Sequence, residues 1–320
     1  MNRESRIFIS WYPQSRRTQT LSDRFGLAAY QIPTPWWKKR AYAPVKYPLP
    51  LLRTARILRH SRPDELWVMY PPQPLVLLAS AYCAYRHVPL VVDMHSVSFY
   101  ALRFRAFRPL EIPLLRKAAA VLVTNDALAE VVNGWGCQPF VLTDPLPTPP
   151  AMLRNQVEPT RVTVIATYSD DEPLDLLPAV ANELKELTFY VTSHPRGDTS
   201  QWPSNLVPTG LLEDQAYWEQ LASSAVVMVL TLRPNTLLSG GYEALSLYRP
   251  LVLSDQKVLR EYYGEAAIYA ASDVAALVNG VKEALQRGDE LSKRLSELAA
   301  LREREWQAKA DRLARMLGRP

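Results

Sequence analysis

The sequence predicts an α/β protein built from two doubly wound parallel sheets. Short apolar and β-branched segments alternate with segments of helical apolar spacing along nearly the whole chain. Strands separated by helices of this length form βαβ units, in which the strands are buried on both faces. The length of 320 residues is sufficient for two domains of ordinary size.

The first alternation occupies the N-terminal half of the chain. Its predicted strands are Arg6–Trp11, Leu27–Ile32, Glu65–Tyr70, Pro89–Asp93, Ala120–Thr124 and Pro139–Leu142. Helical apolar spacing predicts helices over Leu51–Arg59, Leu75–Tyr85 and Asp126–Trp135.

A proline-dense segment, Asp144–Pro150, then interrupts the alternation, because proline continues neither helix nor sheet. We therefore predict domains over residues 1–147 and 148–320. The second set of predicted strands is Arg161–Tyr168, Thr188–Thr192, Leu206–Thr209, Ala225–Leu232, Pro250–Ser254 and Ala266–Ala270. The tail Asp289–Pro320 predicts one or two exposed helices, which are candidates for packing back on the first domain.

Composition argues against several classes of protein. Two cysteines far apart in sequence, Cys83 and Cys137, rule out a disulfide framework. The four histidines have no paired-ligand spacing, no DxD pattern follows a strand, and we expect no metal. No secretory signal pattern is present, and the longest apolar run, Leu75–Tyr85, is too short for a bilayer. We expect a cytoplasmic protein.

The charge is divided unevenly between the two halves. Residues 1–150 contain 19 Lys and Arg against 9 Asp and Glu, a net charge of +10, whereas the remainder carries −5. This asymmetry predicts that the first half faces an anionic partner.

A glycine pair marks the most informative segment. Ser239, Gly240 and Gly241 follow a strong predicted strand and open a helix, in a chain with only 11 glycines. Such a turn leaves backbone N–H groups open to an anion at the positive end of the helix dipole. Glu243, inside that helix, is suited to accept hydrogen bonds from the hydroxyls of a ribose. The alternative is that the glycines only bring the helix close to the sheet.

The segment SGGYEALSLYRPLVLSD, residues 239–255, resembles the nucleotide-binding segment of two-domain (GT-B) glycosyltransferases, specifically of glycosyltransferase family four. Three further segments extend the resemblance over nearly the whole chain: Val123–Ala129, Leu142–Pro147 and Ile165–Leu177. It implies two Rossmann-like domains facing across a cleft, a UDP- or GDP-linked sugar donor as substrate, no other cofactor, and retention of anomeric configuration.

The resemblance also implies roles for individual residues. Glu243 binds the donor ribose, and the backbone of Ser239–Gly241 lies near the diphosphate or sugar. Asn235 stands where the family usually has a glutamate beside the donor sugar. The family's diphosphate-binding Arg and Lys are missing from the loop Tyr168–Pro173, which is acidic, so Arg233 and Arg196 are the candidate substitutes.

Asp93 and His95 follow a first-domain strand, two residues apart. Such a pair can orient an imidazole tautomer or transfer a proton near neutral pH. The alternative is a helix cap beside a satisfied polar histidine. The resemblance places a histidine at this loop facing the donor sugar, so His95 is the first catalytic candidate and Asp93 the second.

Three other candidate sets remain. His194 follows a second-domain strand and is a donor-loop candidate, whereas His60 and His87 close helices. Arg16 and Arg17 are candidates for holding a phosphate, or else begin a solvated helix. The third set is a basic aromatic segment: Trp36, Trp37, Lys38, Lys39 and Arg40. It precedes a predicted helix with Arg53, Arg56 and Arg59 on one face.

The last of these sets suits an anionic membrane surface, with a solvated face and buried tryptophans as the alternative. No nucleic-acid-binding motif is present. The sequence thus predicts a glycosyltransferase acting on a glycan or lipid-linked acceptor in the synthesis of a bacterial-type surface polysaccharide or glycoconjugate. The alternatives are a sugar-nucleotide epimerase or hydrolase of the same fold, and a catalytically weak relative that binds another transferase.

Overall fold

The computed structural model describes residues 5–12, 15–33, 47–101, 104, 106–153, 156–195 and 198–319. The chain divides into two compact units. The first unit comprises Met1–Pro145 together with Trp306–Pro320, and the second comprises Leu146–Glu305.

The first unit contains a parallel sheet in the order β2-β1-β3-β4-β5-β6. Its strands are β1 (Arg6–Ser10), β2 (Ala28–Gln31), β3 (Glu65–Tyr70), β4 (Leu90–Met94), β5 (Ala120–Val123) and β6 (Pro139–Val141). Every residue of β3, β4 and β5 is buried, as expected for central strands covered on both faces.

The helices of the first unit connect these strands. They are α1 (Arg16–Phe25), α2 (Pro48–Ser61), α3 (Gln73–Arg86), α4 (Val97–Tyr100), α5 (Arg108–Leu115) and α6 (Asp126–Gly134). The side chains of Ser15 and Asn125 accept hydrogen bonds from the first turns of α1 and α6 and so define where these helices begin.

The second unit contains a parallel sheet in the order β12-β11-β10-β7-β8-β9. Its strands are β7 (Glu158–Val164), β8 (Thr188–Thr192), β9 (Leu206–Gly210), β10 (Ser224–Val229), β11 (Leu251–Ser254) and β12 (Ile268–Ala270). β10 and β7 lie at the centre of this sheet, so the loops that follow them lie side by side at its carboxyl edge.

Helices again separate the strands of the second unit. They are α7 (Leu177–Glu183), α8 (Asp214–Ala222), α9 (Ser239–Ser246), α10 (Lys257–Tyr263), α11 (Val274–Gln286) and α12 (Gly288–Met316), with 3₁₀ turns at Leu174–Leu176 and Gly264–Ala266. The predicted α/β class with two Rossmann-like, parallel-sheet units is confirmed.

The prediction of an exposed C-terminal tail is wrong. The tail forms one helix, α12, and a stripe of its side chains is buried. Leu291, Leu295 and Ala299 lie in the cores of the second unit, and Trp306, Ala310 and Leu313 lie in that of the first. The spacing of three, four or seven residues between buried positions is that of one amphipathic helical face.

Candidate functional site

The Ser-Gly-Gly turn forms the N-terminus of α9 at the carboxyl edge of the second sheet, after β10. A Cβ atom on Gly240 would lie 2.8 Å from Ile165 Cδ1, and one on Gly241 would collide with the Tyr263 hydroxyl. Both glycines therefore allow the helix to pack closely on its neighbours. This agrees with the alternative interpretation of the sequence, in which the glycines bring the helix close to the sheet. In the described part of the chain no side chain caps this helix start.

Glu243 is the fifth residue of α9 and is buried, with 6% of its surface exposed. The Tyr217 hydroxyl, on α8, donates a hydrogen bond to Glu243 Oε2. Tyr217 thus orients the carboxylate that the resemblance assigns to the ribose. Sequence reasoning missed this residue, because nothing local to α8 links it to a helix 26 residues further on.

The carboxylates of Asp171 and Glu172, in the acidic loop after β7, have hydrogen-bond and ion-pair partners within the second unit. Glu172 accepts hydrogen bonds from the main-chain N–H groups of Thr167 and Ser169, at 3.0 and 3.1 Å. Asp171 Oδ1 lies 2.6 Å from Arg233 Nη2, and Asp171 Oδ2 accepts a 2.9 Å bond from the Thr231 hydroxyl. Arg233 is therefore paired with a carboxylate, where the sequence predicted a cation available to a diphosphate.

The remaining second-unit candidates lie on neighbouring loops. Asn235 follows β10 and has a left-handed backbone, with φ of 50°. His194 follows β8 and is exposed, and its ring packs beside Gly210, where a Cβ atom would lie 3.2 Å from His194 Cε1. Arg196 lies outside the described residues.

In the first unit, Asp93 is the next-to-last residue of β4, and His95 directly follows the strand. His95 Nε2 lies 3.3 Å from Asp93 Oδ2, and the His95 side chain is 33% exposed against 1% for Asp93. The ring therefore turns Nε2 inward toward the carboxylate. Nε2 is itself buried, so the exposed surface belongs to other atoms of the side chain.

Arg17 is the main partner of Asp93. Its Nε lies 2.9 and 3.0 Å from the two carboxylate oxygens, and Nη2 also donates to the Leu142 carbonyl at 3.1 Å. Nη1 pairs with Asp144. Burial alone would raise the pKa of Asp93, but the Arg17 charge and the His95 contact hold that pKa well below its usual range.

These contacts correct two expectations. Arg17 is buried, so the alternative of a solvated helix start is wrong for this residue, and its guanidinium is paired with two carboxylates where the other alternative has a phosphate. Asp93 is an ionised anchor for Arg17 and His95, so it is poorly suited to accept a proton. Arg16, next along α1, is exposed. Sequence reasoning missed Asp144, which it treated only as the start of a linker.

The predicted membrane segment, Trp36, Trp37, Lys38, Lys39 and Arg40, lies outside the described residues. The helix after it, α2, exposes Leu49 and Leu52, and the neighbouring helix α3 exposes Leu77 and Tyr85. In the described ranges no helix has the length and apolar character needed to cross a bilayer. The same residues contain no group of three or more His, Cys, Asp or Glu arranged to hold a metal ion.

Comparison with known structures identifies the fold. The HepE protein of Anabaena, solved with UDP and glucose, aligns with 98% of this chain and 99% of its own at 11% identity, with a TM-score of 0.70. Sucrose-phosphate synthase from Thermosynechococcus elongatus aligns at 13% identity over 97% of this chain and 98% of its own, with a TM-score of 0.69. The pneumococcal O-GlcNAc transferase GtfA, solved with UDP and GlcNAc, aligns at 14% identity over 79% of this chain and 57% of its own, with a TM-score of 0.60.

The chain therefore has the two-domain, Rossmann-like fold of the GT-B glycosyltransferases. More particularly, residues 4–147 match the glycosyl transferase 4-like domain. The family match and the fold together confirm the resemblance predicted from the sequence. A comparison with curated proteins found no match.

Proposed function

We propose that this chain is a glycosyltransferase that moves a sugar from a UDP- or GDP-linked donor to a glycan or lipid-linked acceptor. The observation that carries the proposal is the pairing of Glu243 with an uncapped helix start, Ser239–Gly241, at the carboxyl edge of the second sheet. Ligands of open parallel sheets bind at this edge. The UDP present in the HepE and GtfA structures supports a nucleotide-linked donor.

In this proposal Glu243, oriented by Tyr217, accepts hydrogen bonds from the ribose hydroxyls of the donor. The first N–H groups of α9 lie at the diphosphate and stabilise the charge that develops as it departs. An acceptor hydroxyl attacks the anomeric carbon from the face that the diphosphate leaves, the bond from that carbon to the diphosphate oxygen breaks, and the departing diphosphate takes up the hydroxyl proton. We propose retention of anomeric configuration and no essential metal.

In the first unit, His95 is the proposed contact for the transferred sugar. Nε2 is buried beside the Asp93 carboxylate, 3.3 Å from Oδ2, which leaves Nδ1 as the atom proposed to contact a substrate hydroxyl. Asp93 is then a positioning residue for the imidazole, fixed in turn by Arg17.

The first test is calorimetric titration with UDP and GDP. Glu243→Ala is expected to abolish binding, and Glu243→Gln to weaken it, because only a carboxylate accepts from both ribose hydroxyls. Glu261→Ala is a matched control, since Glu261 is an exposed glutamate on α10 of the same unit. Unchanged nucleotide binding in Glu243→Ala would refute the proposed donor site.

The second candidate function is a binding partner of another transferase with little activity of its own. Two observations favour it: Arg233 is engaged by Asp171, and Asn235 stands where the family has a glutamate. Product analysis with UDP-sugars decides between the candidates. Transfer to an added acceptor supports the transferase, and no conversion of any UDP-sugar supports the binding partner. Release or isomerisation of the sugar without acceptor identifies instead a hydrolase or epimerase.

We further propose that the acceptor lies at the cytoplasmic face of a membrane, in the synthesis of a surface polysaccharide or glycoconjugate. Helices α2 and α3 carry exposed apolar side chains beside Arg53 and Arg56, and residues 47–63 and 71–92 contain no acidic residue. Such a surface suits anionic lipid. Sedimentation with phosphatidylglycerol vesicles is expected to fall when Leu52 and Arg56 are both replaced by Asp. Equal pelleting of this variant and the unaltered chain would refute the membrane proposal.

A further inference from the structure

A second buried ionic cluster lies in the first unit, at the carboxyl end of β3. Arg108 begins α5 and is 9% exposed. Its guanidinium lies 4.4 Å from the Trp135 ring centre and 5.9 Å from that of Tyr70. Phe99 stacks on Trp135, with ring centres 5.6 Å apart. A buried cation is stabilised by such aromatic faces.

Glu111, one turn further along α5, supplies the negative charge of this cluster. It is 3% exposed, and its Oε2 accepts a 2.6 Å hydrogen bond from the Tyr70 hydroxyl and lies 3.4 Å from Arg108 Nη1. Burial raises the pKa of Glu111, against the opposing effects of Tyr70, Arg108 and Gln73. The cluster thus holds the Arg108 side chain from several directions.

The guanidinium of Arg108 also contacts the turn that follows His95. Arg108 Nη2 donates to the Ser98 carbonyl at 2.5 Å. The Ser98 hydroxyl and main-chain N–H both donate to the His95 carbonyl, at 2.6 and 3.0 Å. The His95 N–H in turn donates to the Tyr70 carbonyl at 3.0 Å. The backbone of His95 is therefore tied, through Ser98 and Tyr70, to the residues that surround Arg108.

We propose that Arg108 is a positioning residue for His95, acting through Ser98, and that Glu111 and Tyr70 fix Arg108 for this task. Asp93 sets the direction of the imidazole ring, and Arg108 sets the backbone from which the ring projects. The importance of this positioning for transfer rests on the proposed function, in which His95 contacts the sugar. The positioning itself is a property of the first unit alone.

Histidine-selective ¹³C labelling of the full chain tests the positioning directly, with His95→Ala to assign the resonance. Arg108→Ala is expected to shift the His95 ring signals and leave those of His60, His87 and His194 in place. Arg116→Ala is the matched control, because Arg116 donates to the Trp135 carbonyl from the end of the same helix without contacting Ser98. Arg108→Lys keeps the charge and one donor and is expected to shift His95 less than Arg108→Ala.

An unmoved His95 signal in Arg108→Ala, or an equal shift in Arg116→Ala, would overturn the proposal. If Arg108→Ala does not fold, Arg108→Lys carries the test, and an unmoved His95 in that variant overturns the proposal. UDP binding is expected to be unchanged in either variant, since Glu243 lies in the other unit. With a donor that the unaltered chain uses, kcat is expected to fall about a hundredfold with little change in the KM for donor. Failure of UDP binding in the unaltered chain would refute the donor proposal while leaving the histidine measurement intact.

Discussion

At the scale of single residues, the buried Asp93 carboxylate of the first unit shows how a buried charge is stabilised by a counterion and polar contacts. Asp93 is almost fully buried, yet Arg17 contacts both of its oxygens and a histidine lies beside it. Removing one member of such a set lowers the free energy of unfolding by more than the whole set contributes to it, because the remaining charge stays buried without a counterion.

Arg17→Ala is therefore expected to lower the unfolding free energy of the first unit by about 3–5 kcal/mol at neutral pH. The low folded pKa of Asp93 means that its stabilising contribution is complete above its unfolded pKa of about 3.9 and is lost as pH falls toward the folded value. The difference in unfolding free energy between the variant and the unaltered chain should therefore shrink from pH 7 to pH 3. Denaturant-dependent hydrogen exchange of the β4 amides measures this free energy at each pH.

Arg16→Ala is the control for this prediction, because Arg16 is the exposed neighbour of Arg17 on α1. An exposed substitution of this kind usually changes stability by about 0.5 kcal/mol or less. A loss in Arg16→Ala as large as that in Arg17→Ala would contradict the assignment of the effect to the buried pair.

The sequence predicts the meeting of Asp93 and His95 because they are two residues apart at a strand end. It does not predict Arg17 at Asp93, since the two are 76 residues apart and the contact depends on how α1 packs on the sheet. Arg233 and Asp171 show the same limit. Arg233 was recognised as a candidate and the loop of Asp171 as acidic, but the pairing of their charges depends on β7 lying next to β10.

At the scale of elements, the strands were predictable because most are short, nearly continuous apolar or β-branched runs, and those at the centre of the first sheet are fully buried. Strand positions agree to within four residues, with the largest differences at β7, which begins at Glu158 and ends at Val164 where Arg161–Tyr168 was predicted. Helix α12 was harder to predict, because its buried stripe is narrow within a strongly charged segment. The glycines of α9 present a different problem: the same two residues suit close packing and anion binding, and spacing alone does not separate these uses.

Gly240→Ala is expected to destabilise the second unit by about 1–3 kcal/mol, because the new methyl group overlaps Ile165. Adding Ile165→Ala should recover part of the loss, which a double-mutant cycle measures as a coupling energy. Gly134→Ala is the control, since a Cβ there meets no atom within 4 Å. That helical substitution should be neutral or stabilising by up to about 1 kcal/mol. A Gly240→Ala variant as stable as the unaltered chain would show that packing does not require this glycine.

At the scale of the whole molecule, the end of the chain completes the first unit. The Trp306 ring N–H donates to the Thr143 carbonyl at 3.1 Å. Arg319 Nε lies 2.9 Å from Glu65 Oε2, and its guanidinium lies 5.4 Å from the Phe25 ring centre. Glu65 is 4% exposed and also accepts from the Trp67 ring N–H. The first unit is thus built from both ends of the sequence.

Arg319→Ala should consequently weaken the first unit and spare the second. Loss of the guanidinium leaves Glu65 buried without its cation, which we expect to cost about 3–5 kcal/mol of local stability. Hydrogen exchange should accelerate at the β1 and β3 amides and stay unchanged at β7 and β10, because Glu65 lies in β3. Arg315→Ala, an exposed change on α12, should leave both sheets protected. Equal acceleration in both sheets would mean that Arg319 stabilises the chain globally, and no acceleration in either would mean that the Glu65 pair contributes little to the first unit.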